Sequence, residues 1–582
     1  MAARRGETAS TRRVVAAAFA LLVAATIAAV QAADAGSSFM FDLEQATPVL
    51  ARATPTVPEA DTPRLARRVF LVIIDGLSLN KSYELPFLDE LRRRGVDSEA
   101  VSHYPTWSRP NYVSILTGVP PVASGVRTNH HATPVQLDSL MDRARAAHLR
   151  TASATDYDVL PKLFLRRRGS MPDVVRPPVR EELEIEPEHE SDIDRIDSVG
   201  EPDADLVSPF DDARYAPWPG GFTESSTELA AGDEELVVLL VGAVDAAGHA
   251  HGAASEQYRQ AAEGADHALS RALGHVDLAQ DAIIVVADHG HTARGGHGGM
   301  EADVLAVPFI AAGAGILPGS APHDARLIDV APTVAALLGM PAPGHGLGRT
   351  LVEITQLSSA DRARRVSADN IRLVATTAIV NAANARAEVA TLENRTARLA
   401  LVGAGFLFAL VGGIVLAKRR VLRIDLRTLF VTVPVFFVTY YGLIGVLGQG
   451  FSPSGLPAQG HIESGLLHYG LIATALQLAA NLWWLKRERR LADRLAGANG
   501  IAWLGLAFAM LLAGAVWAVF PPPYVALPGP MWLVVIPAVE IAVACCAVTF
   551  ALTLVVEVIV FAARAWSSPL AAARVTSGRQ SR

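Results

Sequence analysis

Cysteine is nearly absent from this sequence. Its two cysteines, Cys545 and Cys546, are adjacent and lie inside an apolar stretch. Neighbouring cysteines rarely form a disulfide, so no disulfide framework holds the fold together. Because the polar middle of the chain has no cysteine at all, a thiolate metal ligand or a cysteine nucleophile is excluded there.

A basic patch with interleaved aromatic residues is also missing, and the net charge is -7. Both observations argue against nucleic acid as a macromolecular partner. At 582 residues the chain is too long for one ordinary domain, so we expect two or more units. Hydrophobic residues make up 51% of the chain, and they are concentrated near the N-terminus and after residue 398. This distribution predicts a polar domain flanked by membrane segments.

The first apolar stretch, Val14–Val30, comes after several arginines and fits either an uncleaved anchor or a signal peptide. Both interpretations predict that the polar domain is exported. After residue 398, four stretches of about 20 residues are each long enough to cross the bilayer as a helix. A longer stretch at the end of the chain is interpreted as one tilted span. The five stretches are Leu399–Ala417, Leu429–Gly448, Gly465–Leu485, Ile501–Phe520 and Met531–Ala563.

Lys and Arg are missing from every second loop of this region. The loops Gln449–Ser464 and Pro521–Pro530 contain neither residue, whereas the loops around Arg420 and Arg490 are rich in both. The positive-inside rule then predicts that both termini are cytoplasmic and that the polar domain is extracytoplasmic (periplasmic, extracellular or lumenal). Glu540 and Glu557, in the last span, are either functional acids or groups that face partner helices, loops or the interface.

The polar domain is predicted to be an α/β fold with a largely parallel sheet sandwiched by helices, because β-branched runs alternate with amphipathic helical stretches. The predicted organisation begins with the anchor or signal peptide at 1–34 and a linker at 35–67. The catalytic domain is predicted at 68–355, with a lid-like insertion at 172–232. A helical connector at 356–398, a five-helix transmembrane region at 399–563 and a cytoplasmic tail at 564–582 are predicted to follow.

Acidic and histidine residues lie at or just beyond the ends of the apolar runs. Parallel strands bring their carboxyl ends to one edge of a sheet, which is where ligands bind in open α/β folds. Burying several carboxylates together is costly without cations, so the pattern predicts a metal site, with two metals favoured. Carboxylates and imidazoles without thiolates suit zinc, with manganese as the alternative. The residues are Asp75, Asp245, His249, Asp288, His289 and His297.

Ser108 is the best placed hydroxyl group for nucleophilic attack. It lies between Pro105 and Pro110, at the predicted start of a helix, where free N–H groups and the helix dipole favour a developing negative charge. Without the metal-binding pattern around it, a helix-capping role would be the simpler interpretation. With that pattern, an activated serine that attacks phosphorus fits the chemistry of a two-metal site.

Five segments resemble the alkaline phosphatase superfamily, and within it the type I phosphodiesterase/nucleotide pyrophosphatase branch. The likeness covers about residues 68–350, and the order, spacing and strand context of the segments all agree with it. The segments are Ile74-Asp-Gly, Tyr104-Pro-Thr-Trp-Ser-Arg-Pro-Asn-Tyr-Val-Ser-Ile-Leu-Thr-Gly, Val244-Asp-Ala-Ala-Gly-His, Ala287-Asp-His-Gly and Gly296-His-Gly.

The resemblance implies two divalent metal ions, most often zinc, and a phosphoserine intermediate that water then hydrolyses. It implies that Asn111 binds a non-bridging oxygen of the substrate. One metal would be held by Asp245, His249 and His297, and the other by Asp75, Ser108, Asp288 and His289.

Two positions depart from related patterns. Tyr112 stands where a sulfatase would need arginine, which argues against sulfatase activity. His291 stands where relatives often have methionine, and its role is left open.

Three functions are compatible with these residues. The leading one is a membrane-anchored, zinc-dependent phosphodiesterase or pyrophosphatase that acts on a phosphodiester or a lipid-linked phosphate. The second is a phosphoethanolamine- or phosphoglycerol-type transferase with a lipid-linked acceptor, because the membrane architecture and the Ser108-Arg-Pro sequence resemble GPI ethanolamine phosphate transferases. The third is a transporter or scaffold with an inactive head. Membrane lipid is an expected partner in each case, and the oligomeric state is left open.

Overall fold

The computed structural model describes residues 2–44, 48–167, 206–456, 462–522, 524 and 526–577. They form two compact units. The helical unit consists of Met1–Asp42, Glu388–Phe451 and Leu456–Arg582. The sheet unit consists of Leu43–Ala387 together with the short segment Ser452–Gly455.

The sheet unit is built on a seven-stranded sheet in the order β2-β9-β8-β1-β7-β3-β6. The strands β8, β1, β7, β3 and β6 run parallel, and β9 is antiparallel to both of its neighbours. The predicted largely parallel α/β fold is thereby confirmed. The strands are β1 Val69–Ile74, β2 Gly95–Val101, β3 Thr151–Thr155, β4 Arg166–Arg167, β5 Leu206–Val207, β6 Asp212–Tyr215, β7 Leu236–Val241, β8 Ala282–Val286 and β9 Ala306–Gly313.

The three central strands β1, β7 and β8 are buried along their whole length. Runs of Val, Ile and Leu suit this position because both faces of a parallel sheet are covered by helices. The register pairs Ile74 with Val241 and Ile73 with Val286, so the three strands end side by side. The residues that come directly after these strands are therefore delivered to one edge of the sheet.

The helices carry the chain between the strands and build the helical unit. Within the described residues, short 3₁₀ helices cover Leu327–Asp329, Val352–Ile354 and Pro453–Gly455. The α-helices are α1 Ala2–Glu44, α2 Leu79–Ser82, α3 Pro86–Arg94, α4 Ser108–Thr117, α5 Pro121–Ser124, α6 Leu140–Ala146, α7 Val159–Leu163, α8 Gly220–Ala231, α9 Ala243–His251, α10 Glu256–Leu273, α11 Ala302–Leu305, α12 Val330–Leu337, α13 Ser359–Leu392, α14 Arg395–Lys418, α15 Leu426–Val431, α16 Val433–Leu447, α17 Ile462–Leu485, α18 Leu491–Val519 and α19 Pro530–Ser577.

The predicted lid-like insertion at 172–232 lies partly outside the described residues, which do not include 172–205. Residues 206–232 contain β5, β6 and α8. Strand β6 pairs in parallel with β3 at the edge of the main sheet, and Phe222 of α8 is buried in the core. Acidic, weakly periodic residues favour a loop in a sequence-based prediction, but an edge strand needs only one ladder of partners, which β3 supplies.

Four helical stretches among the described residues are long and apolar enough to cross a membrane: Thr11–Gly36, Ser359–Lys418, Leu491–Val519 and Pro530–Arg564. They coincide with four of the six predicted spans. The predicted span at 429–448 is interrupted, because α15 and α16 meet at Thr432 and Pro434 lies in the first turn of α16.

The two acids of the last predicted span have different surroundings within the helical unit. Glu557 is buried, and its Oε1 accepts from Arg494 Nη2 at 2.6 Å, so it faces a partner helix. Glu540 Oε1 lies 3.5 Å from the Tyr524 hydroxyl. A buried carboxylate needs a cation of this kind, and the Arg494 pairing accounts for Glu557 without a functional role.

Candidate active site and metal centre

The sheet unit brings the predicted metal-binding residues together in two adjacent groups. Within each group, one donor atom per residue lies within 4.8 Å of all the others. The six side chains that the sequence singled out are all present, and His291 joins one group as a seventh. The first group is Asp245, His249, His291 and His297, and the second is Asp75, Asp288 and His289.

Strand ends and one helix position these side chains. Asp75 comes directly after β1, and Asp288 comes two residues after β8. Asp245 and His249 lie four residues apart on α9, immediately beyond β7, and this spacing puts both on one helix face. Gly76 lets β1 approach this helix, since a Cβ at Gly76, which has φ of 71°, would lie 2.8 Å from the Asp245 Cα atom.

Ser108 is the first residue of α4 and is buried beside the second group. Its Oγ lies 3.2 Å from His289 Nε2 and 3.5 Å from Asp75 Oδ1. The N-terminus of α4 places the positive end of a helix dipole on the same side. The hydroxyl that the sequence identified is therefore the one that the fold places among the candidate metal ligands.

Two histidines have their tautomers fixed by backbone carbonyl groups. His297 Nδ1 lies 2.6 Å from Thr106 O, and His289 Nδ1 lies 3.2 Å from Gly290 O. A carbonyl oxygen can only accept, so each Nδ1 carries the hydrogen and each Nε2 presents a lone pair. Metal-binding histidines in proteins are commonly oriented by a hydrogen bond of this kind from the nitrogen that does not bind the metal.

The second group places acceptor atoms of three side chains opposite one another. Asp75 Oδ1 and Asp288 Oδ2 each lie 3.3 Å from His289 Nε2, whose lone pair faces them. Asp288 Oδ2 is buried and has no hydrogen-bond partner among the described residues. Such a set is unfavourable when its carboxylates are ionised and no cation occupies its centre. The donor set thus fits a divalent metal ion, and its carboxylate and imidazole chemistry fits zinc or manganese.

Burial sets the pKa values of these groups, and neighbouring charges add to it. Desolvation raises the pKa of Asp75, with Asp288 and Asp245 contributing in the same direction. Desolvation and Asp245 raise the pKa of Asp288 to about 7. Desolvation lowers the pKa of His289 to about 3, so this imidazole is neutral near neutral pH. The carboxyl groups lie so close that they resist being ionised at the same time, and the imidazoles beside them are neutral. A site of this kind attracts cations strongly.

Asn111 is placed differently from the other predicted site residues. Its amide nitrogen donates to the carbonyl groups of His103, Pro105 and Trp107 at 3.0 to 3.2 Å, and its Oδ1 accepts from His103 N at 3.2 Å. The side chain thereby holds the loop that precedes Ser108. Its contact with a substrate oxygen stays a prediction, and that contact would need the amide to leave these backbone partners.

Two residues at this site were not predicted to act there. The Tyr112 hydroxyl donates to Asp75 Oδ2, and Asn129 Oδ1 accepts from Arg109 N at 3.1 Å, one residue after Ser108. Tyr112 lies four residues after Ser108, so helical spacing could have placed it on the Ser108 face. Asn129 has no such signal because it reaches α4 from a separate loop.

Tyr112→Phe is expected to lower the affinity for metal at the Asp75 group by about 10- to 100-fold, the usual cost of losing an outer hydrogen-bond partner. The tyrosine hydroxyl lowers the pKa of Asp75, so its removal favours the protonated carboxyl group. Competition against a chelator of known affinity measures the change. Tyr83→Phe, at an exposed tyrosine, is the matched control and should leave the affinity unchanged.

The short segment Ser452–Gly455 belongs to the sheet unit and packs beside His297. Ser454 Oγ donates to Glu301 Oε2 at 2.8 Å and accepts from Gly299 N at 2.9 Å, and Ser452 also bonds to Glu301. A Cβ at Gly296 would lie 2.2 Å from Ser454 O. A segment 155 residues away in sequence from Gly299 therefore fixes the loop that carries His297.

Ser454→Ala should loosen that loop without unfolding the domain. The substitution leaves the buried Gly299 N–H without its acceptor, which costs about 1 to 3 kcal/mol. We expect amide hydrogen exchange in the peptide 294–301 to accelerate by about 5- to 140-fold, since each 1.4 kcal/mol is tenfold. Ser320→Ala, where the hydroxyl bonds only within its own turn, is the control. Unchanged exchange at 294–301 would show that the segment does not hold the loop.

The chain resembles known proteins over part of its length. Residues 69–297 match the family model for type I phosphodiesterase/nucleotide pyrophosphatase. This confirms the resemblance that the motifs indicated. Ser108 at the start of α4 and both groups of candidate metal-binding residues lie within the matched residues.

The curated relatives carry a more particular name. GPI ethanolamine phosphate transferase 1 of Mus musculus is 26% identical over 346 residues, which are 53% of this chain and 35% of the relative. The catalytic subunit of GPI ethanolamine phosphate transferase 3 of Homo sapiens is 31% identical over 129 residues, or 21% of this chain and 12% of the relative. The chain thus spans about a third of the length of the first relatives that it matches.

Solved structures are more distant. The alkaline phosphatase PafA aligns with a TM-score of 0.36 and 10% identity, covering 50% of this chain and 99% of that structure. Murine ectonucleotide pyrophosphatase/phosphodiesterase 5 aligns with a TM-score of 0.33 and 12% identity, covering 47% of this chain and 96% of that structure.

Proposed function

We propose that this chain is a membrane-anchored phosphotransferase that moves a phosphoethanolamine-type group from a phosphodiester donor to a lipid-linked acceptor through Ser108. The observation that carries the proposal is the position of the Ser108 hydroxyl, at the start of α4 and 3.2 to 3.5 Å from candidate ligands of the second group. A helix-capping role for this serine would not account for the acceptors around its hydroxyl.

Two divalent metal ions fit the donor sets and are part of the proposal. Asp245, His249 and His297 would hold one, and Asp75, Ser108, Asp288 and His289 the other. When bound, such ions lower the pKa of a hydroxyl group and neutralise the charge that develops on phosphoryl oxygens. Zinc is the proposed metal and manganese the alternative, since both accept carboxylate and imidazole ligands.

The proposed reaction then consists of two displacements at phosphorus, which the chain's own residues support. In the first, Ser108 Oγ forms a bond to phosphorus, the bond from phosphorus to the donor alcohol breaks, and a proton passes by way of solvent from Ser108 to that alcohol. In the second, an acceptor hydroxyl attacks phosphorus, the Ser108 Oγ–P bond breaks, and the serine regains a proton. The α4 N-terminus favours the anionic charge in both steps.

Transfer is favoured over hydrolysis by the curated relatives, which are GPI ethanolamine phosphate transferases. The membrane-length helices would keep the domain near lipid substrates. The second candidate is hydrolysis of a phosphodiester or pyrophosphate, because the matched family model is named for those activities. In both cases we propose that the sheet unit is extracytoplasmic and that both termini are cytoplasmic, as the arginine-rich loops predict.

The test uses the full chain in liposomes that contain phosphatidylethanolamine labelled in its headgroup, with zinc or manganese supplied. The proposal expects label to move to a GPI-type glycolipid acceptor and diacylglycerol to appear only when that acceptor is present. Water-soluble phosphoethanolamine formed equally with and without acceptor would establish hydrolysis instead. Absence of both products with either metal would overturn the proposed function.

A further inference from the structure

We infer that His291 is a positioning residue for Asp245, donating its Nε2 hydrogen to Asp245 Oδ1, and that it is not itself a metal ligand. The inference deepens the proposed metal centre and rests on it. His291 Nε2 lies 2.8 Å from Asp245 Oδ1, and the ring is almost fully buried. Its distance to the group as a whole would also allow ligation, so the tautomer decides between the two roles.

The other buried histidines of the site show how a ligand is held here. His289 and His297 each use Nδ1 to donate to a carbonyl oxygen, which frees Nε2 for a metal. His291 Nδ1 is buried and has no hydrogen-bond partner among the described residues. If Nδ1 carried the hydrogen, a buried N–H would be left without an acceptor, which is costly. The hydrogen is therefore assigned to Nε2, where Asp245 accepts it.

In this assignment the two oxygens of Asp245 have different neighbours. Oδ1 accepts from His291, and Oδ2, 3.3 Å from His249 Nε2, faces the neighbouring ligand. The 3.3 Å spacing between Oδ2 and His249 Nε2 would suit two donors that share one divalent ion. His291 thus fixes the orientation of the carboxylate, which leaves Oδ2 beside His249 Nε2 and Oδ1 3.5 Å from His297 Nε2.

The chain leaves a space shaped for this ring. A Cβ at Gly248 would lie 2.5 Å from both Cδ2 and Nε2 of His291, closer than any side chain tolerates. Gly248 lies between Asp245 and His249 on α9, so the absence of its side chain is what lets His291 reach Asp245. The position of the His291 ring beside Asp245 therefore depends on Gly248.

The experiment compares metal content and coordination in full-chain variants without any substrate. His291→Met should lower the affinity of one of the two metal sites by about 10- to 100-fold, as loss of an outer partner does. His291→Gln, which keeps an N–H donor, should recover most of that loss. Gly248→Ala should resemble His291→Met because it displaces the ring. His251→Met, at an exposed histidine on the same helix, is the control.

Metal content after dialysis is measured by elemental analysis, and the number of imidazoles on the metal by X-ray absorption. The inference expects the imidazole count to be equal in wild type and His291→Gln. Loss of one imidazole in His291→Gln, with metal affinity as low as in His291→Met, would show that His291 is a ligand and overturn the inference. These readouts need no turnover, so a failure of the proposed transfer reaction would not be confused with a failure here.

Discussion

Ser108→Ala is expected to lower turnover by at least about 10⁴-fold, the size of loss that accompanies removal of a covalent nucleophile. The fold should persist, because the Ser108 hydroxyl faces His289 and Asp75 and supports no backbone group. Alanine is also a good residue at the start of a helix. Acid quenching of the wild-type reaction should leave a phosphorylated peptide that contains Ser108, and mass spectrometry of the variant should show none.

Ser114→Ala provides the matched control on the same helix. Its hydroxyl is buried and donates to Pro110 O at 3.0 Å, so its loss should cost about 1 kcal/mol of stability and leave turnover close to wild type. If Ser108→Ala retained a tenth or more of wild-type turnover, the covalent step would be excluded. Equal losses in both serine variants would indicate damage to α4 and not removal of a nucleophile.

Asp245→Asn has the second largest expected effect. Asp245 Oδ1 and Oδ2 contact three histidines of the first group, so the neutral amide removes both the charge and the common partner of that group. We expect one of two bound metal ions to be lost and turnover to fall by more than the roughly 100-fold that an outer partner is worth. Elemental analysis of the purified variant, together with the liposome assay, measures both quantities.

Asp281→Asn separates this effect from the general cost of altering a buried aspartate. Asp281 is fully buried and pairs with Arg67 and Arg68 at 2.9 and 2.8 Å, away from the metal groups. Removing one partner of such a pair is strongly destabilising, so thermal unfolding should shift downward while the metal content stays at the wild-type value. Full metal content in Asp245→Asn would contradict the proposed ligand set.

Local sequence patterns were sufficient to predict the central strands and to place the candidate site residues at their ends. β1, β7 and β8 are continuous β-branched runs, and their ends carry Asp75, Asp288 and the start of α9 as predicted. Strands β3 and β6 lack such runs, since Thr151–Thr155 consists of small residues and Asp212–Tyr215 contains two charged residues. Their extended form depends on pairing with neighbours that lie far away in sequence, which no local window contains.

The amino-acid sequence by itself determined the candidate groups for the proposed chemistry, which are carboxylates and imidazoles at strand ends and a serine at a helix start, and it determined the apolar runs of membrane length. These are consequences of composition and of periodicities of two and 3.6 residues, which act over short distances. The tertiary structure decided which donors meet. β1 lies between β8 and β7, so Asp75 joins Asp288 and His289, and Gly248 leaves room for His291 beside Asp245. Such contacts depend on strand order and close approach between distant segments, and neither is encoded at any one position.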